Sequence, residues 1–415
     1  MLDASCRDRP TLLVLASTYP RWHGDAEPGF VHELAKRLTD SFHVIALVPG
    51  APGAAACEML EGVEVIRYRY APRRFETLVN NGGIIANLRR HRWKMLLVPA
   101  FILTQAWCAW RLVRARRVDV VHAHWLLPQG LIAAFISTLS RDFPPCLVTS
   151  HGADLFALRG RGLNALKRFV ARKAAAVTVV SEPMLSELKN IGGDLSKVSV
   201  QPMGVDLSEL FTPDPMVPRS CDEILFVGRL VEKKGLRHLI DAMPAILRAH
   251  PAAHLTIAGF GPEQEALVEQ VRRLDLLSKV RFMGAVSQSE LPGLYRRAAV
   301  FVAPFVKAAS GDQEGLGLVS VEAAGCGCPV VAGDLPVVRS VFGSTSARLV
   351  EPGSVAEIEA AVSAVLANTL APDVAGKVRA SLCARFDWKV VAEQYRQIFQ
   401  DLIAGPSAQT ETRAV

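Results

Sequence analysis

Two long series of short β-branched runs, each alternating with helical patterns, constrain this chain more than any other feature. In the first series the expected strands are 11–17, 43–49, 63–70, 119–124, 146–150, 176–181 and 198–202, with helical periodicity between them, for example over 29–40 and 161–174. Near-continuous apolar strands separated by helices belong to parallel sheets covered on both faces. The segment 207–221 (LSELFTPDPMVPRSC) carries three prolines and no periodicity and predicts a linker. A second series follows, with strands at 223–229, 254–259, 280–284, 299–303 and 329–332. The expected organisation is an α/β domain over 1–206, the linker, a second α/β domain over 222–385, a closing helix over 386–404 and a small polar tail, 405–415. Two doubly wound, Rossmann-like domains facing across a cleft would bind ligands beyond the carboxyl ends of their strands.

Composition narrows the class. Half of the residues are hydrophobic and 21% charged, which excludes disordered and collagen-like chains. No run of eighteen uninterrupted apolar residues occurs, so no transmembrane helix is expected. The net charge of +7 is uneven: residues 1–210 hold 26 Lys+Arg against 18 Asp+Glu, residues 211–415 hold 21 against 22. The eight cysteines show no framework spacing, and Cys326-Gly-Cys328 has no second pair to complete a zinc site. Together with a start that reads as a first strand rather than a leader, this predicts a reducing, cytoplasmic setting.

The densest chemistry lies in 310–331, SGDQEGLGLVSVEAAGCGCPVV. Glu314 stands ahead of Gly315-Leu316-Gly317, a turn that opens a helix, and Glu322 follows about two turns in. A helix start presents unpaired N–H groups and a positive dipole end, which suits phosphate. Carboxylates on either side of a bound diphosphate can hold hydroxyls of two sugars, one a ribose; a capped helix with one buried and one surface Glu is the plainer alternative. In 226–235, FVGRLVEKKG, a buried strand ends at Gly228, and Arg229 and Lys234 precede Gly235 and a helix. Cations so placed can neutralise a leaving diphosphate, or simply be solvated in a loop.

Three further segments carry weaker patterns. His151 in LVTSHGAD follows a buried strand at the ligand edge. His122 and His124 in VVHAHW occupy a similar strand end and share one side, but no carboxylate or thiol completes a metal set, so structural or acceptor-side roles are expected. LTIAGFGP (255–262) offers Gly-x-Gly, yet Gln264 fills the slot of the third fingerprint glycine; it is a tight turn or the wall of a base site. Residues 77–118 hold eight Lys/Arg and no acid, around sixteen residues (95–110) edged by Trp107 and Trp110. Too short to span a bilayer of ~30 Å, that stretch is either a core helix or a segment lying on an anionic membrane surface. No aromatic platform or recognition helix accompanies the charge, so nucleic acid is not an expected partner. Asp312-Gln313-Glu314 is the nearest thing to Asp-x-Asp, and a metal is not indicated.

The order of Gly228-Arg229…Lys234-Gly235, Ala258-Gly259-x-Gly261-Pro262, Glu314-x7-Glu322 and Gly327-x-Pro329-Val330-Val331 resembles the retaining glycosyltransferases of family 4, with the GT-B fold. The first half agrees through TYPRWHGDAEPGFVHELAKRL, VVHAHW, SHGAD and QPMGVDL. The resemblance implies that Arg229 and Lys234 bind the donor diphosphate, Glu314 the transferred sugar, Glu322 the ribose, and that His151 serves the reacting sugar. Gly228, Gly315, Leu316 and Gly317 would fall on the nucleotide-sugar side, and Gly24 or Gly29 would line a loop near phosphates and acceptor. It also implies a closing helix that crosses back to the first domain, and no metal or cofactor beyond a UDP- or GDP-sugar donor. Met203 stands where Asn is usual, Phe260 where an acid is common, and 333–338 (GDLPVV) lacks the usual paired glycines and Glu, which leaves base and sugar open. The expected function is hexosyl transfer to a lipid-linked or oligosaccharide acceptor in surface polysaccharide or glycolipid assembly. A dehydrogenase read from Gly-Phe-Gly lacks the rest of its fingerprint, and a non-catalytic sugar-nucleotide-binding scaffold would not need the charged residues retained here.

Overall fold

The computed structural model describes residues 9–25, 29–80, 83–343, 347–367 and 372–405; the extreme start (1–8) and nearly all of the tail (406–415) lie outside the described residues. The two series fold as two compact units. One takes the chain through Val180, Met184–Gln201 and everything from Val391; the other takes Ser181–Pro183 and Pro202–Val390. The division thus falls at Gln201/Pro202, ahead of the proline-rich 207–221.

In the first unit, β1 (Thr11–Leu15), β2 (His43–Pro49), β3 (Cys57–Leu60), β4 (Val63–Tyr68), β5 (Val120–His124), β6 (Cys146–Ser150), β7 (Ala176–Val179) and β8 (Val198–Val200) form one sheet in the order β3-β4-β2-β1-β5-β6-β7-β8. All neighbours are parallel except β3 on β4. In the second, β9 (Glu223–Val227), β10 (His254–Ala258), β11 (Val280–Gly284), β12 (Val300–Ala303), β13 (Val330–Gly333) and β14 (Arg348–Val350) form an all-parallel sheet, order β11-β10-β9-β12-β13-β14. The interior strands β1, β5, β6 and β9 are buried at every position, as a sheet clothed by helices on both faces requires. Around β9, Ile224 and Phe226 pack with Leu239, Ile240, Met243, Ile257 and Val302 into one core.

Two strands were not expected, both at sheet edges. β3 returns on β4 through Glu61-Gly62, which both take positive φ (45° and 85°), the conformation of a tight hairpin turn. β14 has three residues, too few to show a period.

Two other findings correct the expectations. The helical segment around 95–110 is longer than sixteen residues: Arg92–Arg116 forms one continuous stretch, long and apolar enough by length and composition to cross a membrane. The expected closing helix over 386–404 starts two residues later. A helix Pro372–Phe386 ends at Asp387, whose backbone bridges Val205, and the closing helix runs Trp388–Ala404. From Val391 it belongs to the first unit, where Phe399 meets Phe42 (ring centroids 5.8 Å apart) and Tyr395 meets His122 (5.6 Å).

Candidate active site

In the second unit, β9 delivers the chain into Gly228 and Arg229, and a short turn, Glu232–Lys234, ends in Gly235. Gly235 has φ +68°, and a Cβ there would lie 1.8 Å from the Pro304 carbonyl oxygen, so only glycine fits. That contact holds Lys234 at the end of β12, with its ammonium 4.8 Å from the Phe305 ring centroid. Gly259 makes a similar approach: a Cβ would sit 1.9 Å from the Gly228 oxygen. Gly-Phe-Gly is therefore a tight turn seated on the Gly228 backbone, which removes the need for a dinucleotide fingerprint.

The two densest sequence segments, some eighty residues apart, meet here. Lys234 Nζ lies 2.8 Å from Glu314 Oε2, a charge contact outside hydrogen-bond alignment. Beside it Lys233 Nζ donates to the Gln313 carbonyl (3.2 Å) and pairs with Asp312 (3.3 Å). Burial alone would raise the Glu314 carboxyl, but the Lys234 and Lys233 ammoniums outweigh it and bring the group down to about 2. Its other oxygen accepts long bonds (3.3 Å) from the Gly315 and Gly317 amides. Glu314 thus covers part of the N-terminus of the Leu318–Gly325 helix, the amides expected to stand open for phosphate. Leu316 is buried between those glycines.

Glu322 lies inside that helix and is buried, not at the surface. The Tyr295 hydroxyl donates to Oε2 (3.0 Å) and the Gln288 amide to Oε1 (3.3 Å). Burial raises the Glu322 carboxyl, and these two donors offset part of the rise. A carboxylate held this way retains acceptor capacity for a pair of hydroxyls. Tyr295 and Gln288 escaped the sequence reading because neither belongs to a motif. Arg229 is half-buried at the end of β9.

The first unit holds a different set. His151 follows β6, and its Nε2 lies 2.9 Å from His124 Nδ1 on β5. The His122 and His124 rings, on one side of β5, are 4.0 Å apart at their centroids. His122 Nε2 bonds Thr149 Oγ1 (2.7 Å), which meets Thr178 Oγ1 (2.6 Å). The three imidazoles form a row, and burial pushes all of them down, His122 and His151 to about 3. They are neutral near pH 7. Among the described residues no group of three or more His, Cys, Asp or Glu is arranged to hold a metal ion. Phe30 packs on His151 (4.8 Å) and Gly29 precedes it at the start of the Phe30–Arg37 helix; nothing crowds Gly29 or Gly24. Asp154, also missed, accepts from Leu126 N (2.7 Å), Ser150 Oγ (3.0 Å) and His151 N (3.3 Å), and so ties the end of β6 to the segment after β5. Only the spacing of Asp154 in SHGAD could have pointed to it.

Comparison with known proteins bears on the family and the fold. Residues 30–209 match the family profile described as Glycosyltransferase Family 4, and residues 218–379 the profile described as Glycosyl transferases group 1. A glycogen synthase of Mycobacterium tuberculosis is 28% identical over 391 residues, 89% of each chain. A GDP-mannose-dependent monoacylated alpha-(1-6)-phosphatidylinositol monomannoside mannosyltransferase of Corynebacterium glutamicum is 26% identical over 328 residues, 75% of this chain and 83% of that one. Among solved structures, sucrose-phosphate synthase from Thermosynechococcus elongatus superposes with a TM-score of 0.77 at 21% identity, over 95% of this chain and 100% of that one.

Proposed function

We propose a specific reaction for this chain, which belongs to the family-4-like glycosyltransferases of GT-B fold: it moves a hexosyl unit from a UDP- or GDP-sugar to a lipid-linked or oligosaccharide acceptor, with retention at the anomeric carbon. The observation that carries this reading is the convergence of Lys234, Glu314 and the amides of Gly315 and Gly317 at one helix start. A cation, a carboxylate and backbone N–H donors in one loop cluster are the partners that a sugar diphosphate takes.

In the reaction the bond from the anomeric carbon to the diphosphate oxygen breaks, and a bond to the acceptor oxygen forms on the same face. Negative charge grows on the departing diphosphate. Arg229 and Lys234 supply the counter-charge, so the chain needs no metal for that step. As the diphosphate draws Lys234 and the helix amides, Glu314 is released to the hydroxyls of the transferred sugar. Glu322, held by Tyr295 and Gln288, takes the ribose diol. His151 serves the transferred sugar as a neutral hydrogen-bonding group. The acceptor hydroxyl's proton leaves with the diphosphate. Likeness to the Corynebacterium phosphatidylinositol monomannoside mannosyltransferase supports a role in surface polysaccharide or glycolipid assembly; the setting proposed with it is the cytoplasm or the anionic inner face of the cytoplasmic membrane.

Thermal-shift titration with UDP- and GDP-sugars tests the donor, since a ligand at a hundred times its Kd stabilises the fold by about 2.7 kcal/mol. Donor turnover in chelator with unchanged rate, and a product of unchanged anomeric configuration by NMR, test the rest. No stabilisation by any nucleotide sugar, with no donor turnover, would return the chain to a scaffold role.

A further inference from the structure

We infer that the outer face of one helix layer in the first unit lies on the headgroup layer of an anionic lipid bilayer. The layer consists of the helices Leu97–Arg116, Leu131–Leu139 and Arg161–Lys173, which pack side by side in that order. None of the three contains an Asp or a Glu. Other helices of the same unit carry acids, as Glu33 in Phe30–Arg37 and Glu187 in the helix ending at Asn190 show.

The long helix buries one stripe, Phe101, Gln105 and Ala109, and presents the opposite stripe to solvent. A water-facing stripe is ordinarily polar. Here it is Leu96 (81% exposed), Leu103 (68%) and Trp107 (57%), followed by exposed Arg111 and Arg114. The neighbouring helix adds Phe135 and Leu139, 57% and 74% exposed. The Trp107 and Trp110 rings lie 5.1 Å apart, and the Arg114 guanidinium sits 4.5 Å over Trp110, where the apolar stretch gives way to the basic end. Trp and Arg at such a boundary match the headgroup level of a membrane. Arg172 and Lys173 are exposed on the third helix.

Not every cation counted in 77–118 contributes. Lys94 is buried, its ammonium bonded to the Thr77 carbonyl (2.9 Å) and Asn87 Oδ1 (3.1 Å), and Arg116 pairs with Glu64 (3.0 Å). Arg111, Arg114 and Arg117 remain exposed around the apolar stripe. Nor does the helix span. Its buried stripe lies across β1, β2 and β4, with Phe101 against Tyr68 and Tyr70 (5.8 and 5.4 Å) and Gln105 aimed at the Ala16 and Leu47 carbonyls. Crossing a bilayer would strip that contact, whereas lying on one leaves it intact. Only 17% of its most apolar window is buried, so the opposite stripe is available to lipid.

The inference deepens the membrane part of the proposed function and rests on it only for purpose. Sedimentation of the full chain with mixed phosphatidylglycerol–phosphatidylcholine vesicles, against phosphatidylcholine alone, tests it, with donor turnover measured in the same samples. Binding is expected only with the anionic lipid and is expected to fall with salt. Each cation near such a surface contributes roughly five-fold to partitioning, so R111Q/R114Q/R117Q should lose on the order of 100-fold. L103S/W107S should lose about ten-fold and the quenching of tryptophan by brominated acyl chains, with donor turnover unchanged in both variants. Equal binding to neutral vesicles, no binding to anionic ones, retention after carbonate extraction, or a dimer dissolved by L103S/W107S without vesicle binding would each overturn it. Intact turnover without vesicle binding sinks the docking face alone; vesicle binding with no transfer from any nucleotide sugar sinks the enzymatic reading alone.

Discussion

The loop cluster of the second unit and the histidine row of the first solve opposite electrostatic problems. In the second unit, charges are brought together and compensate one another: Lys234 with Glu314, Lys233 with Asp312. In the first, three titratable side chains are brought together and kept uncharged by burial. A compensated pair can exchange partners when an anion arrives, which is useful where a diphosphate must bind and leave. A neutral row offers fixed hydrogen-bond geometry without a field, which is useful for orienting a ring against polyhydroxyl groups. The contrast teaches that ionisable residues in this molecule stay charged where they are paired and are neutral where they are only buried.

The strongest way to break the contrast is to remove the cations. Lys234→Ala and Arg229→Ala should each lower kcat by about 10²–10³, the usual cost of one charge-stabilising donor. Lys234→Ala also leaves the Glu314 carboxylate buried without its main counter-charge, so its melting temperature should fall along with its rate. Steady-state kinetics with calorimetry separates the two, and a Lys234→Ala enzyme within a few-fold of wild type would make the pair structural.

Next comes the row. His124 is a positioning residue for His151 through the 2.9 Å ring contact. Its replacement by Ala should cost up to about 10² in kcat with little change in KM, as misplacement of a reacting partner does. His124→Gln, which keeps a donor and an acceptor, should recover part of the loss. If Ala and Gln behave alike, the contact is packing only.

Smaller again is the effect of Glu322→Ala on the bare nucleoside diphosphate. Loss of a charged acceptor for a diol should raise Kd about ten-fold by titration calorimetry. Glu314→Ala should leave that Kd nearly unchanged and slow transfer. The reverse ranking would exchange the two roles.

The gentlest probe is pH. The row's imidazoles have folded pKa values below the ordinary 6.5, so the unfolded first unit binds more protons than the folded one. Stability present above about 6.5 is lost as pH falls toward 3, at up to about 1.4 kcal/mol per pH unit for each ring. In the second unit Glu314, held at about 2, gives up its contribution only between 4.5 and 2, and Glu322, shifted upward, adds stability as pH falls toward 4.5, before that loss begins. Between pH 6.5 and 4.5 the first unit should therefore weaken first. All six tryptophans but Trp388 lie in that unit, so urea unfolding of a Trp388→Phe protein followed by fluorescence reports it. A midpoint unchanged between pH 7 and 5 would show that the row is not kept neutral.

Much of this was legible in the sequence because interior parallel strands announce themselves. β2 and β6 begin and end where the expected strands 43–49 and 146–150 do. The edge strands β3 and β14 were not legible, since one alternates exposed residues and the other is too short for a period. The site divides similarly. Glu314 and Lys234 were nameable from turn glycines and charge, but their meeting depends on where β12 ends relative to β9, a tertiary fact. His122 and His124 were assigned structural or acceptor-side roles for want of a metal companion; the partner of His124, His151, follows the next strand, 27 residues away. The exposed stripe of Leu97–Arg116 was hidden because an all-round apolar helix reads the same whether protein or lipid covers it.

Gly235 and Gly259 are seated directly on other stretches of main chain, and this bears on how the protein can drift. Loops whose course is fixed by peptide against peptide do not depend on the side chains they display. Phe260, and Asp334 and Leu335 after β13, can be exchanged without bending the path that carries Lys234 and Glu314. A chain built this way can exchange such displayed groups one at a time, provided that the two glycines are kept beneath them.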